Sequence, residues 1–224
     1  MKRPAYIPKD YKRIKVVKSE NALHTAQFGG RHEVNCIVQP RTLSADFNAL
    51  AQALISPTNP FYLGERSGYG IEKEQLILQS KKMPESVQPA IDFILADMDR
   101  ALAEGFYVSV WLIPPRGHQD NASVYKYHHD DVGFPEKGRL ISCYTGPATL
   151  FLRNEDAVPD MLASQDADVG LYESVTTATA HSFAIGDIWR QVSRPDIKGM
   201  PPFIHRADPQ GRAINEPRLM LVAS

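Results

Sequence analysis

At 224 residues the chain can bury one core of generous size without disulfides or structural metals, so a single domain is the expected organisation. Hydrophobic residues make up 43% and charged residues 23%, as in an ordinary globule of net charge -1. No run approaches the roughly 20 apolar residues of a membrane span, which excludes a transmembrane helix class. Seventeen prolines against 14 glycines imply many turns and few long helices, hence an all-β or α+β protein. The only two cysteines, Cys36 and Cys143, stand far apart in apolar runs and are expected as buried free thiols. A reducing, cytoplasmic location is the corresponding expectation, since the basic N-terminus lacks the apolar stretch of a secretory signal.

Residues 1–32 read as a basic leader ahead of a domain spanning residues 33–224. Met1 to Lys18 carries Lys2, Arg3, Lys9, Lys12, Arg13, Lys15 and Lys18 against Asp10 alone. With no groove-reading motif such an arm is expected to be solvated, and nucleic-acid binding is not expected. Glu33 to Val38 then reads as a strand closed by Pro40. Ser44 is the expected N-cap of an amphipathic helix with Phe47, Leu50 and Leu54 on one stripe, ended at Ser56-Pro57. Thr58 to Gly70 reads as a loop, and Ile71 to Ser80 is too short and mixed to assign. From Ser86 to Glu104, Ile91, Ile94, Leu95, Met98 and Leu102 recur at helical spacing before a Gly105 stop.

Beyond Gly105 the pattern changes to short β-rich runs: Phe106 to Ile113, Ser123 to His128, Arg139 to Tyr144, Thr149 to Arg153, Ser182 to Ile185, Ile188 to Val192, Phe203 to His205 and Arg218 to Val222. Eight short strands after two helices predict an α+β protein, a cupin-like jelly roll or double-stranded β-helix with the two helices packed on one face. Asn154 to Thr179, with six acidic residues, is expected as a surface excursion or lid.

The chemistry concentrates in Tyr125-Lys126-Tyr127-His128-His129-Asp130-Asp131-Val132. Residues two apart on a strand project to one face, so His128 and Asp130 can reach a single ion together. A third imidazole from a distant facing strand would complete a facial triad with open positions for cosubstrate and oxygen. His205 and His181 are the candidates. His205 ends the apolar run Pro201-Pro202-Phe203-Ile204, and 13 residues later Arg218 opens the last apolar strand. A jelly roll can bring Arg218 beside the metal, where its guanidinium could grip the distal carboxylate of a dicarboxylate cosubstrate.

The order His128-His129-Asp130, then His205, then Arg218 resembles the Fe(II)/2-oxoglutarate oxygenase superfamily. Within it the chain is similar to a bacterial domain-of-unknown-function family carrying H-x-D-x-V, Y-x-G-P-x-T, a G-D turn and I-H-R before P-R-L. Here these are His128 to Val132, Tyr144 to Thr149, Gly186-Asp187, Ile204-His205-Arg206 and Pro217-Arg218-Leu219. The likeness runs from about Val34 to the C-terminus. It implies Fe(II) held by His128, Asp130 and His205, with 2-oxoglutarate and molecular oxygen as cosubstrates and a small molecule, amino acid or peptide as substrate. The chain departs from the superfamily where the arginine is often followed by x-S, for Leu219-Met220 stands there.

Several positions keep a second reading. His129 and Asp131 form another H-x-D on the opposite face, although the D-x-V continuation favours His128 with Asp130. Arg139 could bind the cosubstrate carboxylate, as could Arg206 or Arg212, yet exposed ion pairing is the commoner fate of such residues. Tyr125, three residues before His128, is a candidate hydrogen-bond donor to the cosubstrate or else an ordinary sheet tyrosine. Trp111 and Trp189 read as core. A cupin-type metalloenzyme that does not use 2-oxoglutarate, and a non-catalytic metal- or ligand-binding jelly-roll module, are the competing functions. Absence of G-x-S-x-G, P-loop, C-x-x-C and post-strand G-x-G-x-x-G patterns removes support for hydrolase, nucleotidase, zinc-ribbon and Rossmann readings.

Overall fold

The computed structural model describes residues 4–56, 58–59, 69–114, 125–130, 137–162, 170–193, 199–209 and 216–224. Period-two alternation builds most of it. In the strand Arg139–Thr145, Leu140 and Tyr144 join one hydrophobic cluster while Ile141 and Cys143 join another. The same division of neighbours runs through Cys36–Gln39, Ile188–Gln191 and Arg218–Ala223, and it gives the molecule two cores, one on each face of a central sheet.

In chain order the described strands are β1 Ile14–Val16, β2 Cys36–Gln39, β3 Tyr69–Ile71, β4 Val108–Ile113, β5 Tyr127–His129, β6 Arg139–Thr145, β7 Thr149–Phe151, β8 Ala157–Pro159, β9 Gly170–Ser174, β10 His181–Ser182, β11 Ile188–Gln191, β12 His205–Ala207 and β13 Arg218–Ala223. They form a seven-stranded sheet, β1-β2-β11-β6-β13-β4-β3, and a six-stranded sheet, β10-β7-β12-β5-β9-β8. All pairings are antiparallel except β1 with β2. The protein is thus a mixed α+β molecule with two largely antiparallel sheets. Between the sheets Val38, Ile141, Cys143 and Trp189 meet Phe151, with Phe183 and Phe203 completing the cluster. Both cysteines are free and buried.

Helices cover the outer face of the larger sheet. Ser19 caps α1 (Glu20–Thr25) by accepting from Ala22 N at 3.2 Å. α2 (Phe47–Leu54) is capped by Asp46, which accepts from Ala49 N at 2.9 Å; the expected cap, Ser44, lies two residues early. α3 (Lys73–Ser80) begins where Gln75 Oε1 accepts from Glu72 N. α4 (Gln88–Ala103) closes in a Schellman motif, Gly105 N to Leu102 O and Phe106 N to Ala101 O, with Gly105 at φ 77°. Two helices were expected and four are described. Ile91, Ile94 and Met98 of α4 are fully buried as expected, whereas Leu102 is 43% exposed. Among the described residues no helix is long and apolar enough to cross a membrane.

The buried stripe of α4 also holds Asp97. It accepts from Arg41 Nη1 at 2.8 Å, Arg100 Nη2 at 2.6 Å and Tyr144 Oη at 2.7 Å, tying helix, sheet and the 40–46 crossover together. Arg41 is itself nearly buried, so Asp97→Ala strands a guanidinium inside the fold. The expected loss is about 3 kcal/mol of stability, measured by urea denaturation.

Two sequence expectations are corrected. The segment read as a solvated leader is, from Pro4 onward, part of the domain. Ile7, Tyr11 and Ile14 are buried in the inter-sheet cluster, β1 extends the larger sheet, and Tyr11 Oη donates to Asn154 at 2.8 Å. Its apolar residues recur at positions 7, 11 and 14, so the lysines between them face water while the chain is anchored. The second correction concerns the acidic excursion 154–179. It supplies β8 and β9, and β9 pairs with β5, the strand of the candidate ligands.

Candidate metal centre

β5 and β12 are neighbours in the smaller sheet, and His128 and His205 are Cα partners across them. Asp130 follows β5 on the face of His128. The three side chains offer donor atoms that all lie within 4.8 Å of one another, and all three residues are buried. His128 Nε2 stands 3.9 Å from Asp130 Oδ1, and His205 Nε2 stands 3.6 Å from Asp130 Oδ2. Ligands about 2.1 Å from a shared ion lie no more than about 4.2 Å apart, so these separations suit one cation.

The orientation of each imidazole is set from behind. His128 Nδ1 donates to Lys126 O at 2.8 Å and His205 Nδ1 to Phe203 O at 3.4 Å, because a carbonyl can only accept. That tautomer leaves both Nε2 lone pairs directed toward Asp130, the usual support for a metal-binding histidine. Burial pushes the His205 imidazole down to about 3, against the opposing pull of Asp130, so it is neutral at physiological pH. Burial would raise the Asp130 carboxyl, but the Arg139 guanidinium against it prevails and holds it at about 2. Two imidazoles and a carboxylate fit a first-row divalent transition ion better than calcium or magnesium, which favour all-oxygen shells.

The register question is settled by geometry for His129. Its Nδ1 contacts Tyr172 Oη at 2.8 Å on the opposite face, where Gly170, its Cα partner, gives the ring room: a Cβ there would fall 2.0 Å from His129 Cε1. Asp131, like Arg212, lies outside the described residues. His181 sits on β10, separated from β5 by β7 and β12, and does not join the cluster.

Arg139 does grip a carboxylate, but it is Asp130's own: Nη1 lies 2.6 Å from Oδ1. Arg139 Nε is buried without a hydrogen-bond partner among the described residues. Beside it Gln191, its Cα partner across β6 and β11, donates Nε2 to Asp130 Oδ2 at 2.7 Å. Trp189 Nε1 donates to Gln191 Oε1 at 2.9 Å and so fixes which end of the amide faces Asp130. Gln191 was missed in the sequence. The available signal was a polar residue two places after Trp189 and therefore on the same face of the strand.

Arg218 is buried at the start of β13. Its Nη2 donates to Thr149 Oγ1 at 2.6 Å and to Cys143 Sγ at 3.1 Å, while Nε has no hydrogen-bond partner. Among the described residues no carboxylate pairs with it. Thr149 opens β7 and lies two residues from Phe151, the Cα partner of His205. The hydroxyl partner of Arg218 thus comes from the smaller sheet. Gly146, at φ 83°, lets the chain pass Arg218 closely, for a Cβ would come 2.7 Å from Arg218 Cα. Arg206 stacks over the Tyr127 ring at 4.1 Å, Tyr125 is half-buried two residues before β5, and Trp189 is core whereas Trp111 is 38% exposed.

Comparison with protein-family models gives no match for this chain, and comparison with curated proteins finds no relative.

Proposed function

We propose that the chain is a non-haem Fe(II)- and 2-oxoglutarate-dependent oxygenase that hydroxylates a small molecule, amino acid or peptide. One observation carries the reading. A buried His128, Asp130 and His205 cluster of metal-binding character stands on the same inter-sheet side as a buried Arg218 that has no carboxylate partner among the described residues. The first is a two-histidine, one-carboxylate donor set of the kind used by non-haem iron oxygenases, and the second is a receptor for an anion.

The accompanying fold reading is a double-stranded β-helix. Its support is that β4 to β7 alternate between the sheets, β10 stays in the smaller sheet beside β7, and β11 to β13 alternate again, with β4, β13, β6 and β11 adjacent in one sheet and β5, β12, β7 and β10 adjacent in the other. When bound, iron and 2-oxoglutarate supply reductive activation of oxygen coupled to decarboxylation of the oxo acid to succinate. The protein's residues hold and exclude. Asp130 is oriented by Arg139 and Gln191, both imidazoles are held in one tautomer, and Arg218 is set to neutralise the distal carboxylate of the oxo acid.

The reading is tested by anaerobic titration of the purified chain with Fe(II) and 2-oxoglutarate, which is expected to give the visible charge-transfer band of the chelate. Succinate production that does not differ between wild type and His128→Ala in iron-loaded protein would count decisively against it.

The replacement of the x-S position by Met220 favours a second reading, a cupin-type metalloenzyme without 2-oxoglutarate. In that case metal binds normally and no charge-transfer band forms.

A further inference from the structure

Arg139 is tied to the candidate metal centre by one corner of its guanidinium. Nη1 lies 2.6 Å from Asp130 Oδ1, while Nε is buried with no hydrogen-bond partner. Nε shares its edge of the planar group with Nη2, so the side-on edge that can hold a carboxylate with two hydrogen bonds is not the one that meets Asp130. The side chain as a whole keeps 19% of its surface exposed, which leaves it reachable from solvent. One positive charge is also left over between the sheets once the proposed ligands are bound. A divalent ion, Arg139 and Arg218 bring four positive charges, against three negative from Asp130 and a doubly charged oxo acid, the imidazoles being neutral as metal ligands. The oxo acid offers one carboxylate to the metal and one to an arginine. Among the described residues no second carboxylate pairs with either arginine.

We infer that the missing anion is the substrate's own, and that Arg139 receives the carboxylate of a small monoanionic substrate beside the metal. The inference rests on the oxygenase reading above. A reacting molecule has to come within reach of the metal, and of the two arginines it is Arg139 that touches a candidate ligand. Arg218 is bonded to Thr149 and Cys143, neither of them a candidate ligand, and the distal carboxylate of the oxo acid falls to it. Metal binding draws on the same Asp130 carboxylate that Arg139 meets, so the guanidinium needs another counter-charge most when the site is loaded. A cationic substrate would add to the excess charge and a phosphate dianion would exceed it, whereas a carboxylate matches both the single charge and the planar edge. The bond to Asp130 fixes the guanidinium in advance, which lowers the entropic cost of binding.

The test uses the full chain with Mn(II) and 2-oxoglutarate under argon, so that binding is read by calorimetry and thermal shift without turnover. The probes are N-acetyl-L-amino acids and short straight-chain fatty acids, each beside its primary amide, with inorganic phosphate as a further anion. At least one acid is expected to raise Tm and to bind at least about tenfold more tightly than its amide, and Arg139→Gln to bring the two within about twofold. Arg139→Lys, which keeps the charge and loses the planar edge, is expected to lie between. A residue that served only to orient Asp130 would weaken acid and amide alike. Equal binding of acid and amide, binding of no acid, phosphate binding as tight as the best acid, or an acid preference that survives Arg139→Gln would each overturn the inference while the response to 2-oxoglutarate persists. If 2-oxoglutarate itself produces no shift with Mn(II), the oxygenase reading fails and this inference with it.

Discussion

Asp130→Ala is expected to weaken divalent-metal binding by more than about 100-fold, beyond the tenfold to 100-fold that follows loss of a group supporting a ligand. Asp130 is the one carboxylate in the cluster and faces both imidazoles, so its removal leaves two imidazole donors with no anion to hold a cation. The same change also destabilises the fold. Arg139 Nη1 and Gln191 Nε2 both donate to this carboxylate, and the truncated site strands a guanidinium and an amide between the sheets, at a cost of about 3 kcal/mol. Gln191→Leu separates the two effects, because it keeps the ligand and removes only its orientation. It is expected to weaken Co(II) binding by about 10- to 100-fold and to alter the visible spectrum of the bound Co(II). Calorimetric titration with Co(II) under argon reads both variants. Wild-type affinity in Asp130→Ala would mean that these three residues are not the metal site.

How far the site could be read from sequence follows from which of its relations are local. His128 with Asp130 is a period-two relation within one strand, so the pair was visible, and the geometry of His129 now places that ring on the outer face. His205 was chosen over His181 through its position before Arg218, and the strand order puts it opposite His128. That Arg139 and Gln191 converge on Asp130 was not legible, because their pairing is a register relation. The two residues are Cα partners 52 positions apart, and nothing local in either strand declares what lies across it. Arg139 was expected to meet a carboxylate, and the one it meets among the described residues is Asp130.

The fold divides in the same way. The eight expected β-rich runs of the second half each overlap a described strand, although Ser182 to Ile185 and Phe203 to His205 do so at a single residue, because buried alternation recurs between turn residues there. The elements missed were those whose pattern is weak. β1 and β3 are three-residue strands at the two edges of the larger sheet, and β1 lies among exposed lysines that disguise its buried Ile14. α3 has Leu76, Ile77 and Leu78 in succession, of which only Leu76 is buried, so no stripe exists to read. β8 and β9 were hidden by acidic composition, since β8 is an edge strand and its Val158 is 52% exposed.

Arg218→Met is expected to abolish the effect of 2-oxoglutarate while leaving metal affinity within about twofold, since Arg218 makes no contact with the three candidate ligands. Its effect on stability should run opposite to that of most core substitutions. Without a cosubstrate the buried guanidinium has a hydroxyl and a thiol for partners, an Nε without any, and no anion to offset its desolvation. A methionine of similar reach removes that charge and fills its space, so the unliganded variant is expected to be as stable as wild type or more stable by about 1 kcal/mol. Wild type should then gain several degrees in Tm when 2-oxoglutarate is added with Mn(II) under argon, and the variant should gain nothing beyond the effect of Mn(II) alone. A variant that still responds to 2-oxoglutarate would remove Arg218 from the proposed cosubstrate site. A variant of clearly lower stability would show that the guanidinium is retained for packing, and the buried, unpaired charge would no longer argue for an anionic ligand between the sheets.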